Sequence, residues 1–288
     1  MLVQRIAVIG SGVMGRGVAH VSAMAGYTTV LYDVSEKQLA TAVKEITRNL
    51  DKGVELGKVK REDRDEALAR LTTTTDLAEA ARGTDFVVEC IPENIDLKLD
   101  LFRKLEEMTP GHAILASNTS ALSITEMAAV VKVPGRVIGM HFFNPVHKMK
   151  LIEIIRGLET SQETYDTTVA VSLAMGKETV EVNESPGFVT SRINVLIGNE
   201  AFYMLQEGVA SAKDIDKALK LGLNHPMGPF ELVDLVGLDT RLSTLKFLHR
   251  TLGEKYRPCP LIEKYVKAGR LGKKVGKGVY DYGDASST

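Results

Sequence analysis

The stretch Ile6-Ala7-Val8-Ile9, followed at once by Gly10-Ser11-Gly12-Val13-Met14-Gly15, decides the fold of this chain. The four apolar residues predict a buried strand, and helix-compatible sequence follows the glycines as far as Gly26. In a G-x-G-x-x-G turn the first glycine permits the tight turn and the second leaves room for a pyrophosphate, while the third lets helix and strand pack closely. The helix start adds unpaired N–H groups that favour a phosphate. The stretch therefore predicts a phosphate-binding strand–turn–helix unit.

A carboxylate follows the second strand of this unit and indicates which phosphate ligand it takes. The apolar run Thr28–Tyr32 ends in Asp33, which lies 18 residues beyond Gly15. An acid at about this spacing hydrogen-bonds the ribose of a dinucleotide. It disfavours the 2′-phosphate of NADP, and Val34-Ser35-Glu36 supplies no arginine to compensate. We therefore predict NAD as the cofactor, with an ordinary βαβ unit that binds no ligand as the alternative.

Composition limits the other classes of function. The 288 residues carry a formal charge of −1, so no strong field favours nucleic acid or an anionic membrane. Apolar runs are too short for a membrane span, and the first strand begins too early to leave room for a signal peptide. Cys90 and Cys259 are the only cysteines, and no His/Cys cluster has metal-ligand spacing. We expect a cytoplasmic protein without a disulfide framework, a metal, a nucleic-acid partner or a membrane partner.

Strand and helix signals alternate over the first two thirds of the chain. Besides the first two strands, apolar runs predict strands at 86–91, 113–116, 137–140, 151–155 and 179–182. Such alternation indicates a doubly wound, mostly parallel, Rossmann-like α/β sheet with helices on both faces. The polar stretch 52–64 predicts two helices joined by a protruding loop, which is either a solvated decoration or the rim of a ligand site.

The alternation stops at Ser185-Pro186-Gly187, where we place a domain boundary. Serine followed by proline suits the N-cap and first position of a helix. Beyond it, apolar residues at helical spacing mark one face of a long helix: Ile193, Leu196, Ile197, Ala201, Met204 and Leu205. We predict an NAD-binding domain over 1–184 and an all-helical domain over 185–288, whose apolar faces suggest a subunit interface.

Polar groups follow three successive predicted strands, at the edge where open α/β sheets bind ligands. They are Glu93-Asn94, Ser117-Asn118-Thr119-Ser120 and His141-Phe142-Phe143-Asn144-Pro145. His141 is the candidate general base, and a buried histidine satisfied by backbone groups is the alternative. Glu153 is the one acid in the apolar run 151–155, where a carboxylate is costly unless paired. A pair with His141 would explain both residues, because the carboxylate would fix the imidazole tautomer and raise its basicity.

With these motifs, the whole chain resembles the L-3-hydroxyacyl-CoA dehydrogenase family, particularly its bacterial 3-hydroxybutyryl-CoA dehydrogenases. The resemblance rests on the glycine turn, on 117–120 and 141–145, and on Asn183-Glu184-Ser185-Pro186-Gly187-Phe188 together with the stretches 224–232 and 273–280. It implies NAD-dependent oxidation of an L-3-hydroxyacyl-CoA, such as 3-hydroxybutyryl-CoA, to the 3-oxoacyl-CoA, and the reverse reaction. A homodimer through the C-terminal helical domain is also implied.

The resemblance assigns roles to individual residues. His141 would be the catalytic base, Glu153 its partner, and Ser120 the hydroxyl that contacts the substrate's 3-oxygen. Lys58 would lie near the CoA tail, which favours a binding rim at 52–64. The implied cofactor contacts are Gly10, Ser11, Gly12, Val13, Met14, Gly15, Asp33, Glu93, Lys98, Asn118, Ser120, Asn144 and Lys274.

The chain departs from the family at one active-site position. The family often places an asparagine four residues after the Pro-Gly glycine, where this chain has Ser191. Asn194 lies three residues later on the same predicted helix face and could reach the same crevice. Either residue could supply the contact, or neither could touch substrate. The alternative functions are a dehydrogenase of a free hydroxy acid without CoA and a non-catalytic NAD-binding protein.

Overall fold

The computed structural model describes residues 2–283 of the chain. Between Ser185 and Pro186 the chain divides into two units. The first contains a sheet and the second is built from helices, and each is described by itself.

The first unit is organised around one eight-stranded sheet with the order β3-β2-β1-β4-β5-β6-β7-β8. Every neighbouring pair is parallel except β6 and β7, which run antiparallel. The Rossmann-like, mostly parallel fold is thus confirmed. The strands are β1 Arg5–Ile9, β2 Thr28–Tyr32, β3 Leu71–Thr74, β4 Phe86–Glu89, β5 Ile114–Ser117, β6 Val137–Phe142, β7 Leu151–Arg156 and β8 Glu178–Asn183.

Seven α-helices connect these strands within the described part of the first unit. Short polar side chains set several of their starts: Ser35 Oγ, for example, accepts the N–H of Gln38 at the start of α2. The predicted helix pair around 52–64 is confirmed as α2 and α3, joined by residues 56–60. The helices are α1 Val13–Met24, α2 Glu36–Glu55, α3 Arg61–Arg70, α4 Leu77–Ala81, α5 Ile95–Met108, α6 Ile124–Ala128 and α7 Gln162–Ala174.

The sequence analysis missed the edge strand β3 and the short helix α4. β3 has the sequence Leu71-Thr72-Thr73-Thr74, and its two central threonines are exposed. It pairs with β2 on one side only, so it carries no buried apolar run. An edge strand of this kind lacks the pattern by which the central strands were identified.

Over residues 186–283 the second unit consists of helices and turns, apart from isolated β-bridges near residues 272–281. Its core includes Phe202, Phe230 and Tyr256, and the rings of Phe202 and Phe230 meet edge to face with centroids 5.2 Å apart. None of the helices within residues 2–283 combines the length and apolar character needed to cross a lipid bilayer. The helices of this unit are α8 Thr190–Gln206, α9 Ala212–Gly222, α10 Pro229–Val236, α11 Leu238–Leu252 and α12 Pro260–Lys267.

The predicted start of the long helix at Ser185-Pro186 is wrong. The helix, α8, begins at Thr190, and residues 186–189 form a turn. Gly187 and Phe188 have φ values of +75° and +51°, a left-handed backbone that a helix cannot contain. The Phe188 ring is buried, so it packs while its backbone is left-handed. The Ser-Pro pattern does not predict this backbone.

Candidate active site

The glycine turn between β1 and α1 has the shape that a pyrophosphate requires. Gly10 has φ +103°, and a Cβ at Gly15 would lie 1.7 Å from the carbonyl oxygen of Gly10. These two positions therefore need glycine to let α1 pack against the turn. A Cβ at Gly12 would instead meet nothing within 4 Å, so the space in front of this residue is open. Because Gly12 also leaves the start of α1 without a side-chain cap, the turn fits the phosphates of a dinucleotide.

Asp33 lies beside this turn, at the end of β2. Its Oδ2 accepts hydrogen bonds from the backbone N–H of Ser11 at 2.8 Å and from the Ser11 hydroxyl at 2.7 Å. Its Oδ1 accepts the N–H of Ser35 at 3.1 Å. The Asp33 carboxylate thus links the carboxyl ends of β1 and β2. A Rossmann fold places its ribose-binding acid at this position. The bond to Ser11 was not predicted.

The predicted His141–Glu153 pair is confirmed. β6 and β7 are in a register that sets the two residues directly opposite each other, and His141 Nδ1 lies 2.7 Å from Glu153 Oε2. Glu153 has no exposed surface and His141 retains 8%. His141 was expected after its strand, but it lies within β6, because pairing with β7 continues the strand as far as Phe142. A carboxylate so placed holds the imidazole in one orientation.

The polar segment 117–120 reaches both neighbouring strand ends. The side-chain oxygen of Asn118 accepts the N–H of Phe142 at 2.9 Å, which fixes Asn118 beside His141. Glu93 Oε1 accepts the backbone N–H of Ser120 at 2.8 Å and its hydroxyl at 3.1 Å. The structure therefore brings the three predicted polar groups to one edge of the sheet.

A buried acid at this edge escaped the sequence analysis. Glu89, the last residue of β4, has no exposed surface, and Lys98 Nζ lies 2.6 Å from its Oε1. Burial raises the pKa of the Glu89 carboxyl, and the Lys98 ammonium opposes that rise. Lys98, a predicted cofactor contact, is itself 1% exposed, with its ammonium also 3.5 Å from Glu93. A lone acid in the apolar run Phe86–Glu89 is the same signal that identified Glu153.

Two further histidines stack on each other near this region. His20 on α1 and His147, in the loop between β6 and β7, have ring centroids 5.4 Å apart and nearly parallel planes. His147 is half-buried. Burial, followed by the nearby His147 and Lys177, lowers the pKa of His20 to about 4. His20 is therefore a neutral structural residue at neutral pH.

Two further predicted site residues of the first unit, Asn144 and Lys58, are exposed, as is Val13, whereas Met14 is half-buried. Asn144 lies just after β6, and Lys58 lies in the loop between α2 and α3. Their contacts with cofactor and CoA stay predictions. Among residues 2–283, no group of three or more His, Cys, Asp or Glu side chains is arranged to hold a metal ion.

The second unit contains the other three predicted residues. Lys274 Nζ lies 2.7 Å from both carboxylate oxygens of Asp239. When its amide is oriented to satisfy both groups, the oxygen of Asn194 accepts hydrogen bonds from Arg241 at 2.8 and 3.3 Å. Ser191, one turn earlier on α8, is half-buried. Asn194 is thus already engaged with a buried guanidinium, and the choice between the two residues stays a prediction.

Comparison with known proteins finds one family along nearly the whole chain. Residues 5–185 match the family model described as 3-hydroxyacyl-CoA dehydrogenase, NAD binding domain, and residues 187–282 match 3-hydroxyacyl-CoA dehydrogenase, C-terminal domain. A probable 3-hydroxybutyryl-CoA dehydrogenase of Bacillus subtilis is 48% identical over 288 residues, the full length of both chains. The 3-hydroxybutyryl-CoA dehydrogenase of Bradyrhizobium diazoefficiens is 43% identical over 98% of this chain and 96% of its own.

A solved structure gives the same answer. The (S)-3-hydroxybutyryl-CoA dehydrogenase of Ralstonia eutropha superposes with a TM-score of 0.94 and 41% identity, covering 98% of this chain and 100% of that one. The resemblance found from the sequence is confirmed. Since the two family models together span nearly all of the chain, it belongs to the 3-hydroxyacyl-CoA dehydrogenase family and is an NAD-dependent oxidoreductase.

Proposed function

We propose that this enzyme oxidises L-3-hydroxybutyryl-CoA to acetoacetyl-CoA and catalyses the reverse reduction, with His141 as the general base. The observation that carries the proposal is the 2.7 Å contact between His141 Nδ1 and the buried Glu153 carboxylate. The relatives named 3-hydroxybutyryl-CoA dehydrogenase support this choice of substrate.

The His141–Glu153 pair determines where the proton goes. With Nδ1–H directed at Glu153, the other ring nitrogen, Nε2, carries the lone pair that takes the proton of the substrate's 3-hydroxyl. The Glu153 carboxylate then stabilises the imidazolium that forms. In the reverse direction the imidazolium returns the proton to the 3-oxygen. When bound, NAD supplies the nicotinamide ring that accepts a hydride from the carbon carrying this oxygen.

Other residues orient the reactants. Ser120 contacts the 3-oxygen through its hydroxyl, while its backbone N–H remains on Glu93. The turn Gly10-Ser11-Gly12-Val13-Met14-Gly15 holds the pyrophosphate and Asp33 the ribose. Asn118, Asn144, Glu93 and Lys98 shape the cofactor site, the last two through their ion pair, and Lys58 takes the CoA tail.

The two units have separate roles in this proposal. Residues 1–184 bind NAD, and residues 185–288 provide substrate and dimer contacts in a cytoplasmic homodimer. Exposed apolar side chains on the second unit support a dimer surface there: Val209, Leu221 and Leu223 are each more than 60% exposed. Burial of such residues against a second copy would remove apolar surface from water.

Oxidation of NADH by 3-oxoacyl-CoA esters of increasing chain length tests the proposal. We expect acetoacetyl-CoA to be a good substrate with NADH and a poor one with NADPH. Efficient turnover of free acetoacetate, without need of CoA, would favour the alternative of a free hydroxy acid dehydrogenase. Absence of any turnover would favour a non-catalytic NAD-binding protein.

Variants of the histidine pair test the mechanism. His141→Ala should lower kcat by about 10²–10⁴-fold, because general-base catalysis is lost, while NADH binding measured by fluorescence stays nearly unchanged. Glu153→Gln should also lower kcat, since the imidazolium loses its counter-charge. His112→Ala is the control, because His112 also lies beside an acid, 3.1 Å from Asp85, but at the amino ends of the strands. Near-normal turnover of His141→Ala would remove this residue from the mechanism.

A further inference from the structure

Glu89 is a fully buried carboxylate that the proposed chemistry does not use. The register between β4 and β5 sets it beside Ser117, whose hydroxyl donates to Glu89 Oε2 at 2.6 Å. Lys98 Nζ and the N–H of Ile91 donate to its Oε1 at 2.6 and 2.7 Å. Taking a charge out of water is costly, so a buried acid with partners on both oxygens is held in one position.

Two chains of polar contacts lead from this carboxylate, a shorter one to Thr119 and a longer one to both Thr119 and Ser120. In the shorter chain, the Ser117 hydroxyl that donates to Glu89 accepts the N–H of Thr119 at 3.2 Å. In the longer chain, Lys98 Nζ lies 3.5 Å from Glu93 Oε2. The other oxygen of Glu93 accepts the Thr119 hydroxyl at 2.7 Å, the Ser120 N–H at 2.8 Å and the Ser120 hydroxyl at 3.1 Å.

From this convergence we infer that Glu89 is a positioning residue that holds Ser120 in place for the proposed reaction. The inference rests on the proposed function, in which Ser120 contacts the 3-oxygen. The Glu93 side chain is 41% exposed, whereas those of Glu89 and Lys98 are 0% and 1% exposed. The buried Glu89–Lys98 pair therefore limits the movement of the more exposed Glu93 side chain. Glu93 in turn fixes the position of Ser120 through their hydrogen bonds. A misplacement of about 1 Å in a reacting group can cost about 10²-fold in rate.

The same unit contains a second buried ion pair that serves as a control. Arg136 lies 2.6 Å from Glu106, and their side chains are 6% and 11% exposed. Arg136 also donates to the carbonyl oxygens of Pro110 and Ala113, which precede β5. This pair lies at the amino end of the strands, away from Ser120. It matches the Glu89–Lys98 pair in burial and charge, but not in location.

The test compares Glu89→Gln with Glu106→Gln, using the whole enzyme with acetoacetyl-CoA and NADH. We expect Glu89→Gln to lower kcat by about 10–100-fold, with KM and the Kd for NADH changed by less than about threefold. Glu106→Gln should lower the melting temperature but leave kcat unchanged. Should Glu89→Gln fail to fold, Ser117→Ala cuts the shorter chain without changing any charge and should give a smaller loss of kcat.

A double-mutant comparison separates positioning from a merely structural role. In a Ser120→Ala background, Glu89→Gln should cause no further loss of kcat, because the group that Glu89 positions is absent. A folded Glu89→Gln enzyme with wild-type kcat, or a loss that persists in full without the Ser120 hydroxyl, would overturn the inference alone. A wild-type enzyme that does not oxidise NADH with acetoacetyl-CoA would instead refute the proposed function.

Discussion

Protonation of His20 should destabilise the first unit as the pH falls below neutrality. The side chain is 6% exposed, stacks on His147 and lies near the Lys177 ammonium. Among the described residues, its Nδ1 has no hydrogen-bond partner. A positive charge on this ring would therefore be desolvated, without an acid to balance it, and close to another cation. These conditions lower the pKa of His20 to about 4.

The size of the effect follows from proton linkage. Above pH 7 the ring is neutral in both the folded and the unfolded chain, so it contributes no pH dependence. Between about pH 6.5 and 4 the unfolded chain binds a proton that the folded chain refuses, and folding stability is lost as the pH falls. The difference between the two pKa values corresponds to about 3 kcal/mol. For a unit of this size, that is a decrease of about 6–12 °C in melting temperature.

Urea unfolding of the wild type and of His20→Gln, followed by circular dichroism from pH 4 to 8, measures this loss. Subtracting the two curves removes the contribution of the carboxylates, which titrate in both proteins. The variant should gain about 3 kcal/mol relative to the wild type between pH 7 and pH 4. His147→Gln, which removes one cause of the low pKa but keeps His20 buried, should fall between them. A difference that stays constant over this pH range would refute the reasoning.

Four other substitutions test the glycine turn, its neighbouring acid and the core of the second unit. Gly15→Ala should abolish NADH binding, because its Cβ would lie 1.7 Å from the Gly10 carbonyl oxygen. Gly12→Ala should keep the melting temperature of the wild type and lose only NADH binding, since its Cβ would meet no protein atom within 4 Å. Tight NADH binding by either variant in a fluorescence titration would contradict the pyrophosphate site. Asp33→Ala should weaken NADH binding by about 10–100-fold and NADPH binding less, and an unchanged ratio of the two Kd values would place cofactor specificity elsewhere. Phe202→Ala should destabilise the second unit by about 3–5 kcal/mol in urea unfolding, and a loss below about 1 kcal/mol would mean that its ring is not a core element.

The central strands and the His141–Glu153 pair could be predicted because their sequence signals are local. Strands buried on both faces read as apolar runs, and Glu153 stood out as a lone acid in one of them. Its partner could be inferred because His141 directly follows the preceding apolar run, and strands that are neighbours in sequence frequently pair. Glu89 is likewise a lone acid in an apolar strand. It was overlooked because the run 86–91 was used only to predict a strand.

Other features depend on contacts that no local pattern contains. β3 gains its structure from pairing with β2, since its threonines offer no apolar run. The start of α8 is set by the left-handed backbone at Gly187 and Phe188, which overrides the favourable Ser-Pro signal. The stack of His20 on His147 joins residues that are far apart in the chain, so only the packing of the loop after β6 against α1 creates it.

The antiparallel pairing of β6 and β7 has a consequence for how this enzyme tolerates change. Successive side chains of a strand point to opposite faces, so one residue inserted within β7 would turn Glu153 away and present isoleucine to the imidazole. Insertions in the connecting loop 143–150 leave that phase untouched. A change in the length of this connection therefore leaves Glu153 facing His141, whereas the strand itself admits substitutions but no change in residue number between its pairing partners.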